Sequence, residues 1–161
     1  LDEGVYKLLC DTKFPGMKVI EFAFDGNPNN PYLPENINEN SVCYTGTHDN
    51  DTLVGLVESL DEHARRRLYS VLNSEIAANC GEEATEVIDV QSAARAMIKL
   101  ALVSKSRLAV VPVQDICYLD GGARMNTPSS ASGNWAFRLD KFDLQKFDEY
   151  AAQCKIFGRL K

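Results

Sequence analysis

A histidine stands beside acidic and amide side chains in residues 44–52, which read YTGTHDNDT. This segment follows Ser41–Tyr44, a short β-rich run that predicts a strand, and Gly46 suits a sharp turn out of it. Ligands of α/β folds bind at the carboxyl ends of strands. His48 and Asp49 are therefore the first candidates for substrate chemistry.

The residue types of this segment leave three interpretations open. Asn50 or Asp51 could cap a following helix while the His-Asp pair satisfies loop amides, as such clusters often do. His48, Asp49 and Asp51 could instead be metal ligands, although such a site needs a further ligand from elsewhere. In the third interpretation the Asp49 carboxylate accepts hydrogen bonds from neighbouring sugar hydroxyls, and the imidazole adds a donor.

The composition is that of a single soluble globular unit, and we expect residues 1–161 to form one segment without a separate second domain. The chain has 161 residues, of which 45% are hydrophobic and 25% charged. A net charge of −6 argues against a nucleic-acid surface, and no apolar run approaches the roughly 18 residues of a membrane span. Five cysteines without a C-x-x-C pair predict free thiols in a reducing compartment, without a zinc cluster, and hence a cytoplasmic protein.

The apolar patterns predict an incomplete α/β series. We expect helices over 1–11, from about 61 to 80, over 86–104 and from about 144 to 158, and strands over 17–24, 41–45 and 108–117. Residues 59–62 have capping-box form ahead of the second helix, and Pro112 should remove one hydrogen bond from the third strand. Three parallel strands covered by helices predict an arc of a larger barrel.

Several motifs resemble those of one family in the same order along the chain. They are residues 15–19 (PGMKV), 22–25 (FAFD), 30–34 (NPYLP), 39–42 (ENSV), 44–52, 113–115 (VQD), 123–128 (ARMNTP) and 132–135 (SGNW). Together they are similar to the 4-α-glucanotransferases called amylomaltases or disproportionating enzymes. The resemblance extends from about Phe14 to the last helix.

This resemblance implies a (β/α)8 barrel of the α-amylase clan. The chain would be its carboxyl-terminal part, with about three of the strands, and the missing amino-terminal part would be a partner. Family members transfer α-1,4-glucan segments between maltooligosaccharides with retention of configuration, using neither a metal nor an organic cofactor.

The resemblance also implies roles for particular residues. Asp49 corresponds to the carboxylate that stabilises the transition state by gripping hydroxyls of the transferred glucose. His48 would donate to the same sugar or orient Asp49, and Asn126 would present its amide to the glucan or hold its loop. Phe22 would form an apolar edge of the sugar site or belong to the core, and Trp135 would stack on a sugar or anchor its loop.

The two catalytic carboxylates of a retaining mechanism have no counterpart in these motifs. In the family they belong to strand ends that precede this segment, and Glu21, Asp25 and Asp115 sit in no matching motif; contacts within the barrel account better for Glu21. We therefore expect the 161-residue chain alone to be inactive and, with open strand edges, liable to self-associate. A stand-alone carbohydrate-binding or interaction module is the alternative, and a metal-dependent hydrolase a third.

Overall fold

Three parallel strands form the centre of the computed structural model, which describes residues 2–160. They are β1 (Gly16–Val19), β2 (Ser41–Tyr44) and β3 (Leu108–Val110), in the order β1-β2-β3. Gly16 pairs with Ser41 and Val42 pairs with Leu108, so all three carboxyl ends lie at one edge. This arrangement confirms the predicted arc of parallel strands.

Six α-helices accompany the sheet: α1 (Glu3–Thr12), α2 (Leu53–Ser59), α3 (Glu62–Asn79), α4 (Val90–Val103), α5 (Val113–Ile116) and α6 (Leu144–Ile156). The first, third, fourth and sixth of these confirm the predicted helices, except that Leu1 lies outside the described residues. The predicted capping box at 59–62 is wrong in detail, because Ser59 ends α2 and Asp61 caps α3 by accepting a hydrogen bond from Ala64. Sequence patterns did not predict α2 or α5.

The hydrophobic core lies between the sheet and helix α4. Nine of the fourteen residues of α4 are buried, and it packs against both α2 and α3. Cys43 of β2 is fully buried in the same cluster, together with Leu53 and Leu72. This layer fixes β2 and the start of α2, which are the two elements on either side of the His-Asp segment.

Two predicted strands are longer than the observed ones. The strand predicted over 17–24 ends at Val19 and continues as a 3-10 helix, Ile20–Phe22, in which Ala23 donates to the Ile20 carbonyl. The strand predicted over 108–117 ends at Val110 because Pro112 has no N–H to donate and begins the helical turn α5 instead. In both places the sequence stays apolar after the strand has ended.

The five cysteines of the chain are free thiols, as predicted. Cys10 is exposed and the others are buried. Between residues 2 and 160, no helix is both long enough and apolar enough to cross a membrane.

Candidate active site

The loop of residues 45–52 leaves the carboxyl end of β2 and is tied down at both ends by one carboxylate. The Asp115 side chain accepts a hydrogen bond from Thr45 Oγ1 at 2.6 Å and another from the Leu53 amide at 2.9 Å. Asp115 is 3% exposed, so these are buried contacts. Since Leu53 is the first residue of α2, the carboxylate joins the end of β2 to the start of that helix.

A second set of contacts shapes the middle of the loop. Asn50 Oδ1 accepts hydrogen bonds from the Thr47 amide at 2.9 Å and from Thr47 Oγ1 at 2.6 Å. Asn50 Nδ2 donates to Glu21 Oε2 at 2.8 Å. The turn that presents His48 and Asp49 is therefore linked through Asn50 to the 3-10 helix that follows β1.

The Asp49 carboxylate lies at the surface of the loop and faces side chains rather than backbone amides. Its Oδ1 accepts a hydrogen bond from Asn126 Nδ2 at 2.6 Å and lies 3.4 Å from His48 Nε2. The side chains of Asp49 and His48 are 51% and 54% exposed. Within residues 2–160, only one of the two carboxylate oxygens of Asp49, Oδ1, accepts a hydrogen bond.

Residues 124–126 form the opposite wall of the site. Arg124 donates to the Asp49 carbonyl at 2.6 Å and to the Asn126 carbonyl at 2.8 Å, and the Asn126 amide donates to the His48 carbonyl at 3.1 Å. Trp135 packs against His48, with ring centroids 5.1 Å apart. The contacts of Arg124 and Asn126 hold the His-Asp turn from the side that faces away from β2.

These walls enclose an open cavity of about 520 Å³ at the carboxyl ends of the strands. Apolar side chains from all three strands line it, and the polar lining comes from the two loops. The strand residues are Met17, Tyr44 and Val110, and the loop residues include His48, Asp49 and Arg124. A cavity with an apolar floor and a few polar groups at its rim suits a ligand with both apolar faces and hydroxyls.

Of the predicted site residues, the structure brings together His48, Asp49 and Asn126, but not Phe22. Phe22 is 51% exposed, lies in the 3-10 helix rather than in a buried strand, and packs edge-on against Tyr32 at 5.7 Å. It is not among the residues that line the cavity. Its role at the sugar site remains a prediction.

The geometry supports neither helix capping by Asn50 or Asp51 nor a metal site, although Asn50 and Asp51 do accept hydrogen bonds from the loop amides of Thr47 and Thr52. Thr52, rather than Asn50 or Asp51, caps α2 by accepting from the Gly55 amide at 3.0 Å. Asp51 lies against the glycines of α2 and of the 121–123 turn and 3.8 Å from Arg124. In the described part of the chain, His, Cys, Asp and Glu side chains nowhere gather in a group of three that could hold a metal ion.

Four residues that organise the site escaped the sequence analysis as functional residues: Glu21, Asn50, Asp115 and Arg124. Asp115 was considered only as a candidate catalytic acid, whereas Glu21 was attributed to contacts within the barrel without a named partner. Their role is visible only in contacts with residues 29 to 70 positions away in the sequence. The one local signal was an acidic residue inside a predicted buried strand, which requires a partner.

Burial changes the proton affinity of the two acids beneath the loop. Burial is the main cause that raises the pKa of Glu21 to about 8, and the negative charge of Asp115 adds to it. The pKa of Asp115 is also raised, chiefly by burial, although the Leu53 and Thr45 hydrogen bonds oppose this. At neutral pH the Glu21 carboxyl is therefore neutral.

Comparisons with known proteins agree with the resemblance. Residues 1–144 match the family described as 4-alpha-glucanotransferase. The chain is 43% identical to the 4-alpha-glucanotransferase of Thermus thermophilus over 78% of this chain and 24% of that protein. It is 34% identical to the chloroplastic/amyloplastic 4-alpha-glucanotransferase of Solanum tuberosum over 99% of this chain and 26% of that protein.

A solved structure shows the same fold. Amylomaltase from Streptococcus agalactiae, in complex with acarbose, superposes with a TM-score of 0.83 and 27% identity, covering 100% of this chain and 30% of that one. The predicted fold class, part of a (β/α)8 barrel with covering helices, is thereby confirmed. The chain spans about a quarter of the length of the curated relatives it matches. It belongs to the 4-alpha-glucanotransferase family.

Proposed function

We propose that this chain supplies part of the active site of a 4-α-glucanotransferase, which transfers α-1,4-glucan segments between maltooligosaccharides with retention of configuration. The activity named for the relatives supports this proposal. The amylomaltase of Streptococcus agalactiae, whose structure was solved in complex with acarbose, shares the fold of this chain and supports the proposal as well.

The observation that carries the proposal is that the Asp49 carboxylate is both held in place and accessible. One of its oxygens is fixed by Asn126 at 2.6 Å, while the side chain stays 51% exposed at the rim of the cavity. A rigid, accessible anion can accept hydrogen bonds from sugar hydroxyls. These bonds strengthen as the sugar ring gains positive charge, so they stabilise the transition state more than the ground state.

The neighbouring side chains have supporting roles in this proposal. His48 donates to a hydroxyl of the same glucose, and its ring is steadied by Trp135. Asn126 fixes Asp49 and presents its remaining amide hydrogen to the glucan. Phe22, which is exposed outside the cavity lining, would contact the glucan beyond the cavity.

The nucleophile and the acid/base of the retaining mechanism come, in this proposal, from the rest of the barrel, and neither a metal nor an organic cofactor takes part. The chain alone is then catalytically silent. Exposed apolar side chains on the outer strands, Met17 of β1 and Leu108 of β3, are consistent with covering by further barrel strands. We propose a cytoplasmic location, although plant relatives carry chloroplastic/amyloplastic names.

The test is replacement of Asp49 in the complete glucanotransferase that carries this segment. We expect Asp49→Ala to lower turnover of maltotriose by at least roughly 100-fold, with a smaller change in KM, since one preorganised electrostatic contact is lost. Asp49→Asn should behave similarly because it keeps the shape and removes the charge. Asp140→Asn is the matched control, as Asp140 is an exposed aspartate that does not line the cavity. Near-normal turnover in Asp49→Ala would contradict the proposal.

A further inference from the structure

One partly buried carboxyl in the chain, that of Glu21, has a role that neither the fold nor the family name assigns. Glu21 lies in the 3-10 helix after β1, directly beneath the loop that carries His48 and Asp49. Its backbone amide donates to the Thr45 carbonyl at 3.2 Å, so the residue is fixed against the first residue of that loop. Its side chain continues in the same direction, towards Gly46 and Asn50.

The Glu21 carboxyl fits closely against the loop backbone. A Cβ atom added at Gly46 would lie 2.5 Å from Glu21 Oε1, which leaves no space for a side chain between them. The oxygen Oε1 is buried and has no hydrogen-bond partner in the part of the chain that the structure describes. The other oxygen, Oε2, accepts from Asn50 Nδ2 at 2.8 Å.

Asn50 transmits this contact to the residues that present Asp49. With its Nδ2 held by Glu21, the amide is oriented so that Oδ1 accepts from both the backbone and the hydroxyl of Thr47. The Thr47 hydroxyl oxygen in turn lies 3.4 Å from the Asp49 amide, which donates to it. We propose that Glu21 is a positioning residue of the glucan site, which sets the place of the Asp49 carboxylate through Asn50 and Thr47. This inference rests on the proposed function for its effect on turnover, but not for its effect on the loop.

Burial first, and the charges around Glu21 second, raise the pKa of its carboxyl. Asp115 and Asp51 lie on the side of the active-site loop, and their negative charges raise its pKa, whereas Asn50 and Arg124 lower it. On its other side Glu21 borders a second cavity of about 490 Å³, whose lining includes Asp25 and Arg67. Burial is the largest cause, and the pKa reaches about 8. An anion here would have one buried oxygen without a donor beside two other carboxyls, so ionisation favours movement of the carboxyl towards water and loss of its contact with Asn50.

The experiment compares Glu21→Gln and Glu21→Met in the complete enzyme. Glutamine keeps an oxygen that accepts from Asn50 and cannot ionise, whereas methionine keeps the length and removes the acceptor. We expect Glu21→Met to lower kcat roughly 10- to 100-fold with little change in KM, because a displacement of the catalytic geometry by about 1 Å has an effect of this size. Glu21→Gln should keep the kcat of the parent near pH 7. The parent should lose activity as the pH rises through about 8, and Glu21→Gln should not lose it there.

A second measurement reports on the loop without activity. Hydrogen exchange of the peptide covering residues 45–52 should become faster in Glu21→Met and stay unchanged in Glu21→Gln, because only the first variant releases Asn50. Glu75→Gln and Glu75→Met are matched controls, since Glu75 of α3 is a partly buried glutamate whose pKa is also raised by burial. They should change neither loop exchange nor the alkaline limb of the pH profile.

The outcomes separate this inference from the proposed function. Unchanged exchange of residues 45–52 in Glu21→Met, or the same loss of activity above about pH 8 in Glu21→Gln as in the parent, would overturn the positioning role. If Asp49→Ala keeps its turnover while Glu21→Met speeds loop exchange, the proposed function fails and the positioning role stands. If Glu21→Met does not fold, the pH profile and loop exchange of Glu21→Gln still decide the matter.

Discussion

Removing the Asp115 carboxylate should destabilise the chain more than removing any exposed acid of the site. Asp115→Ala takes away the acceptor of two buried hydrogen bonds, from Thr45 Oγ1 at 2.6 Å and from the Leu53 amide at 2.9 Å. A hydrogen bond to a charged group contributes about 1.5–3 kcal/mol, so two would contribute roughly 3–6 kcal/mol. Burial of the carboxylate, which raises the pKa of Asp115, offsets part of this. We expect a net loss of about 3 kcal/mol in the free energy of unfolding.

Asp115→Asn provides the matched comparison. The amide oxygen can accept from Leu53, and the amide nitrogen can donate to the Thr45 hydroxyl, so both contacts keep a partner. The cost should stay below about 1 kcal/mol, the ordinary net value of a neutral hydrogen bond. Urea unfolding of the chain, followed by circular dichroism, measures both differences. Equal stability of Asp115→Ala and Asp115→Asn would refute the idea that this carboxyl ties the two ends of the loop together.

The pH dependence of the parent gives a further check on the same group. Because the folded pKa of Asp115 lies above its ordinary value of 3.8, the folded chain keeps this proton over a range in which the unfolded chain has lost it. The contribution of this group to stability is therefore complete below 3.8 and decreases as the pH rises through the range up to the folded pKa. Asp115→Asn should lack that decrease. Its stability relative to the parent should thus be lowest in acid and improve towards neutral pH.

Two more predictions follow from the site and from the sheet edges. Asn126→Leu in the complete enzyme should lower kcat by roughly 10-fold or more, because Asp49 Oδ1 loses its 2.6 Å donor. The control Asn134→Leu removes only contacts within residues 127–134 and should have a smaller effect on kcat. Equal effects of the two variants in a maltotriose assay would contradict the role of Asn126. The isolated chain should form dimers or larger species in sedimentation velocity, because Met17 and Leu108 are exposed on the two outer strands; a monomer at high concentration would show that this expectation is wrong.

Local sequence signals were sufficient for the parts of the site that are continuous in the chain. The run Ser41–Tyr44 has a strand composition, and Gly46 marks its end, so the position of His48 and Asp49 at a strand terminus could be predicted. Asn126 was assigned to the sugar site through the resemblance, and its hydrogen bond with Asp49, 77 residues away, was not predicted. Residue patterns alone place each side chain on an element but do not determine which loops meet.

The ends of the other strands could not be predicted because burial continues beyond them. Ile20 is 0% exposed and Ala23 is 1% exposed, although both follow the end of β1. An apolar run indicates what is buried, and it does not distinguish a strand from a buried 3-10 turn. Pro112, which lacks an N–H, was the local signal in the third strand, and we expected it to remove one hydrogen bond there. In the structure the strand ends before Pro112 instead.

The depth of the acidic residues accounts for the way the site can present one anion. Asp49 is half exposed at the rim, Asp51 lies deeper and faces Arg124, and the pKa values of Glu21 and Asp115 beneath them are raised by burial. If all four carboxyls were ionised, their mutual repulsion would destabilise the conformation of the loop between them. Protonation of Glu21 removes one negative charge from the base of the loop and leaves its hydrogen bond with Asn50 intact. Asp49, with 51% of its side chain exposed against 26% for Asp51, and with Asp115 only 3% exposed, is then the acid that a sugar gaining positive charge can reach.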